Sequence, residues 1–293
     1  MTQVAWIGLG AMGAPMATVV AGGGMPVRAF DLDPDASQRV GGGVTVFPTV
    51  REAVAGADVV VVMVATGAQL DAVLFDPHTG VAETLGRGTV VLVMSTVGPQ
   101  AVEQAANRLE AHGVWVVDAP VSGGVARAST GDLLVMVGGA DQHIATAQPV
   151  LDCVAAQAPV VGAVVGDGQR FKVVNQLLCG VHIAVAGEAL ALAESMGLDP
   201  AQCVEVLQGG AASSFMLGDR GPRMVEGEDA PVRSALDIFV KDMGLVTDAA
   251  RAVQQPVPLA AAAEQIYVRG RREGLGRRDD SSVYELLRSG ASD

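Results

Sequence analysis

Up to about residue 160, short apolar runs alternate with longer segments that have helical spacing. Most of the runs are continuous rather than alternating, as expected for parallel strands that are covered on both faces. Helical windows such as Ala11–Ala21 and Pro99–Ala111 lie between some of them. The strands predicted by this pattern are Val4–Ile7, Val27–Asp31, Asp58–Val64, Thr89–Met94, Val114–Asp118 and Leu133–Val137. Strands and helices in this order are typical of a doubly wound sheet.

After about Val165 the spacing of the apolar residues becomes helical. Gaps of three and four residues predict one long amphipathic helix from Gln169 to Met196, ended by Gly197. The apolar stripe of this helix comprises Phe171, Val174, Leu178, Val181, Val185, Ala189, Leu192 and Met196. Further helices are predicted at Pro200–Gln208, Ser234–Ala252 and Leu259–Arg269.

This change of pattern predicts two domains, residues 1–164 and residues 165–293. The fold class is α/β, with a doubly wound sheet followed by an all-α C-terminal domain that a long interdomain helix joins to it. A length of 293 residues agrees with two domains of about 150 residues each.

Composition and charge exclude several classes of protein. Half of the residues are apolar, which excludes intrinsic disorder, and the 37 glycines follow no Gly-X-Y period. A net charge of −13 argues against nucleic acid or an anionic membrane as a partner. Arginines cluster between Arg269 and Arg278, but Asp279 and Asp280 follow at once, so we expect a solvated helix end or turn there.

Targeting segments and metal sites are not expected either. No basic region precedes an apolar core at the N-terminus, and the purest apolar runs, such as Val59–Ala65, are far shorter than the ~20 residues of a membrane span. Three widely spaced cysteines offer no disulfide framework, and four scattered histidines offer no metal site. These features favour a cytoplasmic protein.

A glycine-rich turn follows the first predicted strand. Gly8, Leu9, Gly10, Ala11, Met12 and Gly13 match GxGxxG, with a strand before the motif and a helix opening within it. In such a turn the first glycine permits the tight bend, the second lets the backbone approach a pyrophosphate, and the third allows close packing of helix on strand. The N-terminus of the helix adds free N–H groups and a positive dipole.

Asp31 ends the next predicted strand, 18 residues after Gly13. A carboxylate there can accept a hydrogen bond from the ribose 2′-hydroxyl of NAD, and it would repel the 2′-phosphate of NADP. Leu32 offers no guanidinium to that phosphate, so NAD is the favoured cofactor. The alternative is a glycine-rich turn that binds nothing.

A second candidate site is the loop Asp118–Gly124, directly after a strand. Ligands of doubly wound sheets bind beyond the carboxyl ends of the strands. Ser122 supplies a hydroxyl, and the N–H groups around Gly123 and Gly124 can form an anion-binding nest that suits a small carboxylate. An ordinary turn is the alternative.

The long helix opens with a third candidate site. Asn175 and Gln176 follow Lys172 by three and four residues, so all three side chains share one face of the helix. A lysine beside an amide and an apolar seam loses solvation, which lowers its pKa and lets it exchange a proton with a hydroxyl. The alternative is a surface lysine. Lys241 and Asp242 are adjacent, a spacing that implies no ion pair, and their role stays open.

Together these motifs resemble the β-hydroxyacid dehydrogenase family, which includes 3-hydroxyisobutyrate dehydrogenase, tartronate semialdehyde reductase and L-threonate dehydrogenase. The resemblance covers essentially the whole chain and implies a Rossmann-type first domain. It rests on four ordered motifs: Gly8–Met16, Asp118–Gly124, Gly168–Gln176 and Lys241–Met243.

The resemblance assigns a role to each substrate-site residue. Lys172 would be the catalytic acid and base, and Asn175 would hold the substrate beside it. Ser122, Gly123 and Gly124 would bind the carboxylate of the substrate.

It also implies which residues bind the cofactor besides the glycine-rich turn and Asp31. Thr96 and Lys241 would contact the nicotinamide side of NAD. Val64 and Ala65 occupy the place where the family often has Leu-Pro, and backbone contacts are expected there. Phe215 stands where many members have tryptophan, which would reshape the substrate pocket.

The resemblance implies NAD-dependent oxidation of a small hydroxy acid, similar to 3-hydroxyisobutyrate, to its aldehydo or keto acid. Alternatives within the family are an L-threonate-type or other four-carbon sugar-acid dehydrogenase and a tartronate semialdehyde reductase. An NAD-binding scaffold and an imine reductase would each lack a lysine at position 172, and a 6-phosphogluconate dehydrogenase would need a larger helical domain. Members of the family associate through their helical domains, so we expect a homodimer or homotetramer.

Overall fold

The computed structural model describes residues 2–288. The chain forms two compact units, Met1–Lys172 and Val173–Asp293, which are described separately. Residue 1 and residues 289–293, which the predicted domains include, lie outside the described part of the chain.

The first unit is built on an eight-stranded sheet. The strands of this unit are β1 Val4–Ile7, β2 Val27–Phe30, β3 Val44–Val46, β4 Val59–Val62, β5 Val90–Val93, β6 Trp115–Asp118, β7 Val121–Ser122, β8 Leu133–Val135, β9 Val137–Gly138, β10 Ala155–Gln157 and β11 Val160–Gly162. The core of parallel strands confirms the doubly wound α/β class, since the order β3-β2-β1-β4-β5-β6 runs outward in both directions from β1 and β4. After β6 the sheet continues with β9, which is antiparallel to β6, and then β11. A smaller sheet has the order β10-β8-β7.

The continuous apolar strands are explained by burial on both faces of the sheet. In β4, Val59 and Val61 belong to one hydrophobic cluster, while Val60 and Val62 belong to the other. All four are fully buried, so neither face of the strand needs a polar residue. The helices of this unit are α1 Gly13–Gly22, α2 Val50–Val54, α3 Gly67–Phe75, α4 Pro99–Glu110, α5 Gly124–Ala128 and α6 Asp141–Val154, together with the start of α7 Asp167–Ser195.

One predicted strand is two strands in the structure. The run Leu133–Val137 divides at Met136 into β8, which pairs with β7 and β10, and β9, which pairs with β6 and β11. Hydrophobicity continues through the run because both halves are buried, so the pattern does not reveal that the pairing partner changes.

The described part of the second unit, residues 173–288, is built from helices, as predicted. The described helices that follow α7 are α8 Pro200–Gln208, α9 Phe215–Glu226, α10 Leu236–Ala252, α11 Pro258–Arg272 and α12 Val283–Arg288. Its core includes Ile183 of α7, Phe239 of α10 and Tyr267 of α11. The hydroxyl of Tyr267 donates a hydrogen bond of 2.7 Å to the carbonyl of Gly180. A Cβ at Gly180 would lie 2.2 Å from Met243 Sδ, so glycine permits this close packing.

The apolar stripe of α7 faces outward, whereas an amphipathic helix normally turns such a stripe to the core. Phe171, Leu178 and Leu192 are about half exposed or more, at 53%, 49% and 61%. The helix is 29 residues long and its most apolar 18-residue window is hydrophobic enough to cross a membrane by length and composition, although 44% of that window is buried inside the protein. The helix itself is predicted by the sequence, but its overall hydropathy is not evident from the apolar runs because polar residues interrupt them.

The expected solvated helix end is confirmed for the arginine cluster, because Arg269, Arg271 and Arg272 are exposed in the last turn of α11. The two aspartates that follow, Asp279 and Asp280, are not solvated. Both side chains are buried, at 3% and 0% exposure. Asp279 pairs with Arg223 at 2.6 Å, and Asp280 pairs with Arg220 at 2.9 Å. The sequence interpretation considered only the neighbouring arginines, whereas α9 supplies the partners from more than fifty residues away.

Candidate active site

The carboxyl ends of four parallel strands form one edge of the sheet. Pairing of Ile7 with Val62, of Val62 with Val93, and of Val93 with Asp118 brings the ends of β1, β4, β5 and β6 level. Strand order reverses between β1 and β4, which is where ligands of doubly wound sheets bind. The glycine-rich turn, Val64, Thr96 and the loop after Asp118 therefore share this edge.

The glycine-rich turn has the geometry of a dinucleotide cradle. Gly8 has φ of +96°, and a Cβ there would lie 2.2 Å from the carbonyl oxygen of Met63. A Cβ at Gly13 would lie 2.0 Å from the carbonyl oxygen of Gly8. Gly10 is exposed and a Cβ there would meet nothing within 4 Å, so space is open where a pyrophosphate approaches. The N-cap residue of α1, Met12, makes no side-chain capping bond, so the positive end of the helix dipole has no cap from that side chain. In the first turn the N–H of Ala14 donates to the carbonyl of Gly10 at 3.1 Å, and Pro15 has no N–H.

Asp31 lies directly after β2 and is tied to the glycine-rich turn. Its Oδ2 accepts a hydrogen bond of 2.5 Å from the N–H of Leu9, and its Oδ1 accepts one of 2.8 Å from the N–H of Asp33. Leu32 points away from the protein, with 87% exposure. A guanidinium is nevertheless present, because Nη2 of Arg39 lies 3.9 Å from Asp31 Oδ1. Arg39 was not predicted to lie here, because it is eight residues after Asp31 and ends a 3-10 helix rather than following the strand.

Hydrogen bonds also hold the segments at the ends of β4 and β5. The N–H of Val64 donates to Ser95 Oγ at 2.8 Å, and that hydroxyl donates to the carbonyl of Val62 at 3.1 Å. The N–H of Ala65 donates to Gln69 Oε1 at 2.8 Å. Thr96 follows Ser95 directly and is partly exposed. Ser95 therefore positions two predicted cofactor-contact segments.

A buried amide connects those segments to the start of α7. Gln169 is 1% exposed, and its Oε1 accepts hydrogen bonds of 3.0 Å from the N–H groups of Val97 and Gly98. Its Nε2 donates to the carbonyl of Ser95 and to Asp118 Oδ1, each at 2.9 Å. Sequence reasoning quoted Gln169 and Asp118 within motifs but gave neither a role. Only their burial and their long-range bonding reveal it.

Asp118 caps the first turn of α7 from the end of β6. Its Oδ2 accepts hydrogen bonds from the N–H of Gln169 at 2.8 Å and from the N–H of Gly166 at 3.2 Å. Burial raises the pKa of Asp118 to about 6, although these hydrogen bonds oppose the rise. The carboxylate thus orients the helix that carries Lys172.

Lys172 is buried, with 6% exposure. The alternative of a surface lysine is therefore wrong. Lys172 lies about one and a half turns into α7, and the hydrogen bonds that Gln169 and Asp118 make at the start of the helix fix its place in space.

The loop after β6 places Ser122 at the end of β7 and the two glycines at the start of α5. Gly123 has φ of +143° and Gly124 has φ of +73°, a conformation that other residues rarely adopt. Ser122 is half-buried, while Gly124 is exposed and a Cβ there would meet nothing within 4 Å. Backbone N–H groups can therefore be approached closely at Gly124.

In the second unit a buried carboxylate organises the remaining predicted residues. Asp242 is 2% exposed; it pairs with Lys241 at 2.9 Å and accepts a short hydrogen bond from Gln176 Nε2. Gln176 Oε1 in turn accepts a 2.8 Å bond from Asn175 Nδ2. The expectation that Lys241 and Asp242 do not pair is wrong, because the long lysine side chain folds back to its neighbour. Phe215 begins α9 and is 64% exposed.

Comparison with known proteins agrees with these features. Residues 3–166 match the family described as the NAD binding domain of 6-phosphogluconate dehydrogenase. Residues 166–287 match the family described as NAD-binding of NADP-dependent 3-hydroxyisobutyrate dehydrogenase. The chain is 40% identical to the L-threonate dehydrogenase of Cupriavidus necator over 285 residues, which are 96% of this chain and 94% of the relative.

The chain belongs to the β-hydroxyacid dehydrogenase family. A crystal structure of 3-hydroxyisobutyrate dehydrogenase from Salmonella typhimurium superposes with a TM-score of 0.90 at 36% identity, covering 98% of this chain and 100% of that one. The 3-hydroxyisobutyrate dehydrogenase of Mycobacterium tuberculosis, solved with L-serine, gives 0.86 at 33% identity, covering 98% and 99%. The protein is thus an oxidoreductase that uses a nicotinamide cofactor and acts on a hydroxy acid.

Proposed function

We propose that this β-hydroxyacid dehydrogenase oxidises a small hydroxy acid with NAD and that Lys172 is its general acid and base. The observation that carries the assignment is the burial of Lys172 on a helix whose first turn is bonded, through Gln169, to the segments after β5 and β6. A surface lysine would need no such support.

The glycine-rich turn and Asp31 would hold the adenosine half of the cofactor, and Val64, Ala65 and Thr96 would lie along its nicotinamide half. Lys241 is assigned to the same half. When bound, the cofactor would supply the oxidised nicotinamide as hydride acceptor for the carbinol carbon. The open Gly10 and the uncapped start of α1 support pyrophosphate binding at the turn.

The substrate carboxylate would bind at Ser122, Gly123 and Gly124, and Asn175 would hold the hydroxyl end. Lys172, as the neutral amine, takes the hydroxyl proton while the C–H bond loses its hydride, so that the carbinol becomes a carbonyl and the lysine becomes an ammonium. In the reverse direction the ammonium returns the proton to the carbonyl oxygen. Acid–base assistance of this kind contributes about 10²–10⁴-fold to a rate.

Within this class we favour a four-carbon sugar acid of the L-threonate type, with 3-hydroxyisobutyrate as the second candidate. The 40% identity to an L-threonate dehydrogenase supports the first, and the likeness to two structures named 3-hydroxyisobutyrate dehydrogenase supports the second. The same site, run in reverse, would serve a tartronate semialdehyde reductase.

The partly buried Asp31 carboxylate favours NAD over NADP because it would face the 2′-phosphate with like charge. The exposed apolar stripe of α7 supports a homodimer or homotetramer in which a second copy covers it. The three cysteines are free, which supports a cytoplasmic location.

The test follows nicotinamide absorbance with L-threonate and 3-hydroxyisobutyrate, each with NAD⁺ and NADP⁺. We expect Lys172→Ala to lower kcat by at least about 10²-fold while it binds NADH as the unmodified protein does. Arg170→Ala is the matched control, since this exposed cation on the same helix pairs only with Glu103 and Asp167 among the contacts described. Full activity in Lys172→Ala would contradict the proposed role.

A further inference from the structure

Three charged side chains meet beside the glycine-rich turn. Asp31 follows β2, Asp33 caps a short 3-10 helix, and Arg39 is the last residue of that helix. Arg39 Nη1 donates to Asp33 Oδ2 at 2.5 Å, while its Nη2 lies 3.9 Å from Asp31 Oδ1. The guanidinium thus sits between two carboxylates.

The same guanidinium is bonded to the turn itself. Its Nε donates a 3.0 Å hydrogen bond to the carbonyl of Leu9, and Asp31 accepts the hydrogen bond from the N–H of Leu9. Asp31 and Arg39 therefore bind the N–H and the carbonyl of the same residue, Leu9, which lies between Gly8 and Gly10. Because Asp31 is the predicted ribose partner, Arg39 lies next to the same ribose edge.

The net charge of Asp31, Asp33 and Arg39 determines whether a 2′-phosphate can bind beside them. Two carboxylates against one guanidinium leave a net charge of −1, and hydrogen bonding to Arg39 lowers the pKa of Asp33, which keeps that carboxylate ionised. A 2′-phosphate carries about two negative charges at neutral pH, so it meets repulsion here. Without the charge of Asp31, the remaining pair of Asp33 and Arg39 is neutral, and Nη2 of Arg39 can donate a hydrogen bond to the 2′-phosphate.

We propose that Arg39 can bind the 2′-phosphate of NADP but that the negative charge of Asp31 prevents this binding. The two residues together, rather than Asp31 alone, then set the preference between NAD and NADP. The proposal rests on the proposed binding of the adenosine ribose at Asp31. The side chain of Arg39 is 38% exposed, which leaves it accessible to a phosphate. With Nε bonded to Leu9 and Nη1 bonded to Asp33, Nη2 would donate the charge-assisted hydrogen bond to the phosphate.

The test is a double-mutant cycle on cofactor binding. Binding is measured from the fluorescence of the reduced nicotinamide, without any substrate. The variants are Asp31→Asn, which keeps the shape and removes the charge, Arg39→Ala, and the double variant. We expect Asp31→Asn to strengthen NADPH binding about tenfold or more, since one charge-assisted hydrogen bond gained and one repulsion lost exceed about 1.4 kcal/mol. The double variant again has a net charge of −1 at this group, from Asp33 alone, and lacks the guanidinium, so it should bind NADPH no better than the unmodified protein does.

The matched control is Asp31→Asn combined with Arg108→Ala. Arg108 is an exposed guanidinium of the same unit that pairs with Asp71 at 2.5 Å, far from the glycine-rich turn in the sequence. This combination should keep the tenfold gain. An unchanged thermal unfolding midpoint in each variant reports that the protein is folded.

The outcomes separate the two proposals. A gain in NADPH binding that persists without Arg39, or no gain on Asp31→Asn in a protein that still binds NADH, would overturn the role of Arg39. If the unmodified protein bound neither NADH nor NADPH, the proposed function itself would fail.

Discussion

At the residue scale, Asp118 is a buried carboxylate that makes more hydrogen bonds than its place in a loop motif indicates. It accepts hydrogen bonds from two backbone N–H groups and from the amide of Gln169. Gln169 uses its own oxygen for Val97 and Gly98, so its NH₂ group must face an acceptor. A carboxylate meets that demand, whereas an asparagine in its place could direct a second NH₂ group at Gln169.

The titration of Asp118 provides a test of this arrangement. Burial raises its pKa to about 6 from 3.8, so the folded protein retains a proton between about pH 4 and pH 6 that the unfolded chain has lost. The contribution of Asp118 to stability is therefore present in acid and is lost as the pH rises through 6, by about 3 kcal/mol in total. Carboxyl ¹³C NMR, with Asp118→Asn to confirm the assignment, should give a midpoint near 6; a midpoint near 4 would contradict the burial argument.

At the element scale, the strand–turn–helix unit from β1 to α1 depends on glycines for two different reasons. Gly13 is buried against the carbonyl of Gly8, so a side chain there has no room. Gly10 is exposed and faces open space, so a side chain there has room in the protein but would occupy the place of a phosphate. Folding and ligand binding thus impose separate demands on one motif.

Alanine substitutions should separate these demands. Gly13→Ala should destabilise the protein by about 1–3 kcal/mol, the usual cost of overpacking, and should also weaken NADH binding. Gly10→Ala should leave the thermal unfolding midpoint unchanged and weaken NADH binding about tenfold or more, or about 1.4 kcal/mol. Gly22→Ala at the far end of α1, where a Cβ also meets nothing within 4 Å, should change neither quantity. Equal effects of Gly10→Ala and Gly22→Ala on binding would refute a phosphate site at the turn.

At the scale of the whole molecule, the apolar stripe on α7 leaves large hydrophobic side chains exposed along one helix. From Phe171 to Met196 it extends about 38 Å along the helix at 1.5 Å per residue, and both end residues are more than half exposed. Continuous apolar surface of that kind is rare on monomers and marks an interface. A net charge of −13 keeps copies apart unless such a surface brings them together.

Charge placed in the stripe should therefore change the oligomeric state. Leu178→Glu combined with Leu192→Glu should convert the proposed dimer or tetramer to monomer in sedimentation velocity, because two carboxylates would be buried unpaired. The control is Val253→Glu, since Val253 is 74% exposed but lies at the end of α10, outside the stripe. A variant pair that sedimented like the unmodified protein would show that the oligomer, if any, forms elsewhere.

The sequence by itself determined the elements and the chemical groups. The β-branched runs predicted β1 as Val4–Ile7, and helical spacing predicted α8 as Pro200–Gln208, both with the bounds that the structure has. Such signals are local, because side-chain spacing along one element reports which face is apolar. The glycine-rich turn was likewise recognisable because its mechanism is contained within one strand, one turn and one helix.

Only the tertiary structure decided which groups meet. It turned the apolar stripe of α7 outward, divided Leu133–Val137 between two sheets, and buried Asp280 against Arg220. It also brought Arg39 to Asp31, and Gln169 to Asp118 across fifty residues of chain. The periodicity of a helix shows that its two faces differ in polarity, but not which face the fold will bury. The partner of a polar residue depends on how distant elements pack together, and sequence spacing does not encode that packing.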